Sequence, residues 1–333
     1  MSQIVHLPDL QGNWKWPRRI NPHTEEIRQE SLDWAASFGA FSPRAQVAFD
    51  KCNFKQLRCS NDLMNLFFIV DEYSDKSSPS DVWDQVSISM DALRNPQKPR
   101  PEGEWVGGEA TRQFWARTYP ISTSTFHRRF IDSWEDYLHG VAQQAEDRHA
   151  SYVRDVDSYL QVRRKTVGVI PSLNMLEMGM DIPDEVMEHP VIRELMSLGS
   201  DLVFISNDIL SYNKEQASGD DQRNIVTIVM REQALGVQQA IDWAGQLHDS
   251  KTERFNELYL QIPRWGGPLD WEVQTFMHGV AQLVSGNVQW SYESERYLGK
   301  RGLEVRATGV LHLSPKYSMD EIGPVIMDET ILG

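Results

Sequence analysis

Two sets of oxygen-bearing side chains could do chemistry in this chain of 333 residues. The first closes the run NDLMNLFFIVDEYSD, residues 61–75, where Asp71 and Asp75 stand one helical turn apart and Glu72 lies beside Asp71. On a helix, residues i and i+4 share a face, so both aspartates reach toward one cation. Taken alone, a D-x-x-x-D is also what a helix end running into water looks like, since like-charge repulsion there costs only about a few tenths of a kcal/mol. The second set lies in NDILSYNKE, residues 207–215, where Asn207, Ser211 and Glu215 follow at i, i+4 and i+8. At about 100° per residue they form one stripe over two helical turns. Amide, hydroxyl and carboxylate oxygens are hard donors. They suit Mg²⁺, which keeps part of its water and completes its shell from phosphate oxygens. Each set ends an apolar helix, the second preceded by SLGSDLVFIS. That pairing points to metal sites at the mouth of an apolar pocket.

Cations that could meet a phosphate are scarce and grouped. YLQVRRKTVG carries Arg163, Arg164 and Lys165 ahead of Gly168; Lys214 lies inside the second stripe; NVQWSYESERYLGK supplies Arg296 and Tyr297. Guanidinium forks bind phosphate oxygens bidentately, and a tyrosine hydroxyl can donate beside them. Other chemistries lack their residues. The chain has no G-x-x-x-x-G-K-[ST] loop, no G-x-G-x-x-G after a strand, and no H-E-x-x-H, G-x-S-x-G or C-x-x-C.

The elements that must position these groups read as helices. Apolar residues recur at helical spacing over about 23–38, 43–51, 55–75, 80–93, 109–117, 123–148, 151–166, 172–178, 191–213, 222–248, 251–262 and 269–297. Residues 1–22 read as an irregular strap, RATGVLHLSP as the one short hairpin, and 91–108 as an inter-helix loop. The expected architecture is an all-α bundle forming a single domain over 1–333, with 299–333 as a C-terminal tail. Net charge is −15, which argues against nucleic acid or an anionic membrane as partner. No apolar run is long enough to span a bilayer. Two cysteines, Cys52 and Cys59, and an opening stretch without a basic start and long apolar core lead us to expect a cytoplasmic protein without disulfides. Eleven tryptophans call for a packed core or an aromatic-lined pocket.

Taken together, DEYSD, NDILSYNKE about 130 residues later and the Arg296–Tyr297 pair resemble the motifs of class I terpene synthases, in the flavour of fungal, basidiomycete-type sesquiterpene synthases. The resemblance runs over nearly the whole chain, from LPDL and NWKWPRRINP to WSYESERYLG. It implies a helical fold around a deep apolar cavity, three Mg²⁺ ions, and a Mg-dependent lyase that ionises farnesyl diphosphate and cyclises the cation. By the resemblance, Asp71 is the main ligand of the aspartate-rich motif and Asp75 a weaker one, while Asn207, Ser211 and Glu215 chelate a further Mg²⁺. Arg164, Lys214, Arg296 and Tyr297 would grip the diphosphate, with Arg163 the alternative to Arg164. Phe67, Phe68, Asn287 and Trp290 are candidates for the cavity wall, and the protein is expected as monomer or homodimer. The segment 54–62 is shorter than in such relatives, and Lys165 stands where they often carry an acid. Two alternatives stay open: a chain-elongating prenyl diphosphate synthase, which would carry a second aspartate-rich motif, and a relative that binds diphosphate without turnover.

Overall fold

The computed structural model describes residues 3–19, 24–40 and 58–316, with side chains from residue 29 in the first helix and from residue 59 in the second. In chain order the elements are β1 (Ile4–His6), α1 (Thr24–Ala36), α2 (Arg58–Ser74), α3 (Pro79–Arg94), α4 (Val106–Thr118), α5 (Ser124–His149), α6 (Val156–Thr166), α7 (Val169–Asn174), α8 (Asp184–Met187), α9 (Pro190–Ser218), α10 (Ile225–Glu232), α11 (Val237–Tyr259), α12 (Pro268–Glu293), α13 (Glu295–Leu298), α14 (Gly302–Thr308) and β2 (Val310–His312). The expected all-α class holds. The helix expected at 43–51 lies outside the described residues.

Local chemistry sets the helix ends. Ser78 and Asp81 close a capping box in front of α3, with Pro79 at its first position. α9 starts on Pro190 and stops at Gly219, which takes φ 79°. Three sequence expectations need correction. The helices expected at 222–248 and 251–262 are instead α10 and a longer α11. The break falls at Gln233–Gly236, where Ala234 takes φ 53° and Gly236 begins the next helix. The helix expected over 269–297 ends at Glu293, where Ser294 is extended before α13. RATGVLHLSP forms no hairpin: its first residues belong to α14, and β2 pairs antiparallel with β1, Val5 opposite Leu311. The two distant segments satisfy each other's backbone, which a local hairpin pattern cannot reveal.

α9 is the axis of the second half, packed against α11, α12, α13 and α6, while α3 packs on α4 and α5, and α2 on α1 and α4. The aromatic residues of α5 fall on one face, Phe126, Phe130, Trp134 and Tyr137, all at most 2 % exposed. Trp115 stacks on Phe130 at 5.2 Å, and Phe130 on Trp134 at 6.0 Å. This spine ends at Tyr137 and so reaches from the core to the end of α2. Other tryptophans hold the strap: Trp14 and Trp16 sit on Phe255, and the indole N–H of Trp14 donates to Ser285 Oγ at 2.8 Å. Between α6 and α7 the chain turns at Gly168, with φ 70°. A Cβ there would lie 2.8 Å from the Phe67 ring, so the turn needs glycine twice over.

Candidate active site

The last turn of α2 carries Asp71 toward α5 and α6. Its carboxylate is open to solvent yet ringed by protein. Desolvation, with Asp75 adding repulsion, lifts its pKa from 3.8 to about 7 against the pull of Arg296 and Arg163. Tyr137 donates a hydrogen bond to Asp71 Oδ1 at 3.3 Å. Asp75 lies just past the helix and is half-exposed. Arg148 and Arg223 each reach its Oδ1 at 3.4 Å. Glu72 turns away to pair with Lys76.

The stripe on α9 is built differently. Asn207 is clasped on both sides: Arg163 Nη2 donates to its Oδ1 at 2.9 Å, and its Nδ2 donates to the Tyr297 hydroxyl at 2.9 Å. Asp208, the next residue, is buried at 1 % exposure. It accepts from the Tyr159 hydroxyl, from Arg163 at 3.1 and 3.3 Å, and from the Ile225 N–H at 3.1 Å. Burial pushes the Asp208 carboxyl up while Arg163 holds it down, and the same carboxylate secures the charge on Arg163. Ser211 is buried one turn on. Glu215 accepts from Asn224 Nδ2 at 2.9 Å, and desolvation with the nearby Asp208 raises its pKa.

The two ends share one ring of cations. Arg163 bonds Asn207 and also stabilises the charge on Asp71; Arg296 does the latter too, and its neighbour Tyr297 bonds Asn207. The Arg296 guanidinium lies 4.4 Å over the ring of Phe68, and Trp290 meets Tyr297 edge-on at 5.7 Å. Phe68 and Trp290 therefore stand at the cationic pair. Phe67 is turned into the core against Trp134 and Tyr137, and Asn287 donates to Val203 O and Ser206 Oγ at 3.2 Å, tying α12 to α9. Lys214 is exposed on α9 beside Glu215.

Of the arginine doublet, Arg163 points into this cluster. Arg164 makes a bidentate pair with Asp201 at 2.6 and 2.9 Å, joined there by Lys251 at 2.9 Å. With Lys165 it lines a groove of about 650 Å³ between α5, α7 and α9 that touches the cluster at Tyr137. Adjacent helical residues point about 100° apart, so only one of the two can face α9's stripe. Sequence reading missed Tyr137, Tyr159, Asp208, Arg223 and Asn224. The one signal available was Asn224 ahead of the apolar run IVTIVM, a helix-cap pattern. Among the described residues, no three of His, Cys, Asp and Glu converge as a metal cluster. The oxygen stripe on α9 draws instead on an amide and a hydroxyl beside its one carboxylate.

Comparison with known proteins finds relatives in both sequence and fold. The family described as terpene synthase family 2, C-terminal metal binding, matches residues 62–254. A Delta(6)-protoilludene synthase of Stereum hirsutum is 47 % identical over 98 % of this chain and 93 % of its own length. That of Armillaria gallica is also 47 % identical, over 98 % of this chain and 99 % of its own. The Stereum alignment runs over 342 positions, more than the 333 residues of this chain, so that relative carries residues missing here. Among solved structures, a point variant of cucumene synthase overlays with TM-score 0.73 at 24 % identity, covering 85 % of this chain and 99 % of its own. Germacradien-4-ol synthase from Streptomyces citricolor gives 0.72 at 22 %, covering 83 % and 96 %.

Proposed function

The chain belongs to terpene synthase family 2, and from that membership we propose that it ionises farnesyl diphosphate and cyclises the resulting carbocation to a sesquiterpene, releasing diphosphate. The observation that carries this reading is the shared ring of cations. Arg163, Arg296 and Tyr297 link the Asp71 end of α2 to the Asn207–Ser211–Glu215 stripe of α9.

The residues fit hard divalent cations. Asp71 is a carboxylate that desolvation and Asp75 hold above its ordinary pKa despite Arg296 and Arg163, and the α9 stripe offers amide, hydroxyl and carboxylate oxygens. Asp71, with Asp75 as a weaker ligand, and Asn207, Ser211 and Glu215 would hold Mg²⁺, three ions in all as the family resemblance implies. Bound there, the metal supplies positive charge to the departing diphosphate. The protein's own groups do the rest. Arg163 and Arg296 neutralise phosphate oxygens, Tyr297 donates beside them, and Lys214 extends the cationic rim. We give Arg163 the role that the sequence analysis assigns first to Arg164, because Arg163 faces Asn207 and Arg164 faces Asp201. Phe68 and Trp290 flank this ring with aromatic faces, which exclude water and attract a developing carbocation.

An Asn/Ser/Glu stripe in place of a second aspartate-rich motif favours cyclisation over chain elongation. The names of the relatives make Delta(6)-protoilludene the first product to look for. The test is incubation of folded protein with farnesyl diphosphate and MgCl₂, followed by gas chromatography and mass spectrometry. A sesquiterpene is expected. A longer prenyl diphosphate would replace this reading with elongation, and diphosphate binding without any terpene would make the chain a non-catalytic relative.

A further inference from the structure

The α9 stripe is held by a residue outside it. We infer that Asn224, the residue preceding α10, is a positioning residue that fixes Glu215 in the orientation for metal binding; the inference rests on the reading of Glu215 as a ligand. Asn224 is fully buried. Its Nδ2 donates to Glu215 Oε2 at 2.9 Å and to the Asp208 backbone carbonyl at 2.7 Å. Its Oδ1 accepts from the Val226 N–H at 2.9 Å and so caps α10. This arrangement also fixes which way the amide points. Reversing it would set Oδ1 against two acceptors and lose the cap. The next residue, Ile225, donates its N–H to Asp208 Oδ2 at 3.1 Å, so the loop is strapped twice to one turn of α9.

Glutamate is among the side chains that lose most rotamer freedom on ordering. A fixed donor on one of its oxygens removes that loss from the binding step. Asn207 differs, because Arg163 and Tyr297, which hold it, are themselves proposed to contact diphosphate and would exchange partners as it arrives. Asn224 is neutral, buried and already committed to the cap, so its hold on Glu215 persists. Partners that orient a ligand in this way typically change metal affinity by about 10–100-fold when removed.

Asn224→Ser keeps a cap acceptor and withdraws the amide N–H₂ from Glu215; Asn224→Asp keeps the cap and sets a carboxylate against Glu215. Both are titrated by calorimetry with MgCl₂ and inorganic pyrophosphate, beside Glu215→Ala and the Asn224→Ser/Glu215→Ala double variant. The expected result is about tenfold weaker Mg–pyrophosphate binding for the serine variant and a larger loss for the aspartate variant. With farnesyl diphosphate, the half-saturating Mg²⁺ concentration rises by a similar factor while kcat at saturating Mg²⁺ stays within about threefold. In the Glu215→Ala background, Asn224→Ser adds nothing, as two residues acting through one contact require. Wild-type affinity in both Asn224 variants, or an undiminished effect without Glu215, overturns the inference. If Glu215→Ala itself binds like wild type, the ligand reading of Glu215 falls instead. Should the serine variant lose its helical circular dichroism, the aspartate variant carries the same comparison.

Discussion

At the end of α2, the Asp71 carboxylate accepts one hydrogen bond among the described residues, from Tyr137 at 3.3 Å, and half-exposed Asp75 meets its arginines only at 3.4 Å. At the end of α9, Asn207, Asp208 and Glu215 are all tied by partners from α6, α13 and the residues that open α10. One wall of the site is held by few and long polar contacts, and the other is built before any ligand arrives. A loose carboxylate can gather a cation and adjust to it, while a wired stripe sets where that cation must sit. Damage should therefore spread through neighbours on the α9 side and stay local on the α2 side.

The largest difference is expected in stability. Asp208→Asn leaves part-buried Arg163 without its salt-bridge partner and should cost about 3 kcal/mol in urea unfolding. Asp75→Asn removes half-exposed pairs and should cost no more than about 1 kcal/mol. Equal losses would erase the contrast. In catalysis the proposed ligands come next. Asn207→Ala or Glu215→Ala should lower turnover on the order of 10²–10³-fold with circular dichroism unchanged, by analogy with removal of one charge-stabilising donor. Unaltered turnover would remove the α9 stripe from the mechanism.

The pH dependence separates the two walls from the rest of the fold. Asp71 titrates at about 7 in the folded chain against 3.8 in an unfolded one, so its contribution to stability is present below 3.8 and lost as pH rises through 7. Buried His248 on α11 runs the other way: desolvation lowers its pKa from 6.5 to about 4, so its contribution is present above 6.5 and lost as pH falls through 4. The two trends oppose each other between about pH 4 and 6.5. Asp71→Asn removes the first, so thermal melts of that variant should lose Tm more steeply on acidification than wild type. Parallel curves would mean that Asp71 is ordinarily hydrated. A comparably small effect belongs to Tyr137→Phe, which deletes a single 3.3 Å hydrogen bond and should shift stability by no more than about 1 kcal/mol and Mg²⁺ dependence by only a few-fold.

The ligand candidates were legible because helical periodicity alone puts Asn207, Ser211 and Glu215 on one face, and because Asp71 ends an apolar helix. Their wiring was not. Asp208 reads as just the residue after Asn207, yet it anchors Arg163, Tyr159 and the start of α10. Such contacts join segments distant along the chain, and no local pattern encodes them. The sequence reading set Arg164 ahead of Arg163; which of the two meets Asn207 and which Asp201 is decided only by how α6 packs along α9. The break between α10 and α11 was missed for a related reason: apolar spacing continues across Gln233–Gly236, and the left-handed Ala234 leaves no mark in the sequence. The pairing of β1 with β2 brings together opposite ends of the chain and was read as a local hairpin.

The central claim is that the two walls act together as a metal-dependent clamp on a diphosphate leaving group. Its most direct test is inorganic diphosphate released from farnesyl diphosphate, measured with and without MgCl₂ for wild type and Glu215→Gln. The account predicts release that requires MgCl₂ and falls at least about 10²-fold in the variant. Release without MgCl₂, release undiminished in Glu215→Gln, or none from folded wild-type protein would contradict it.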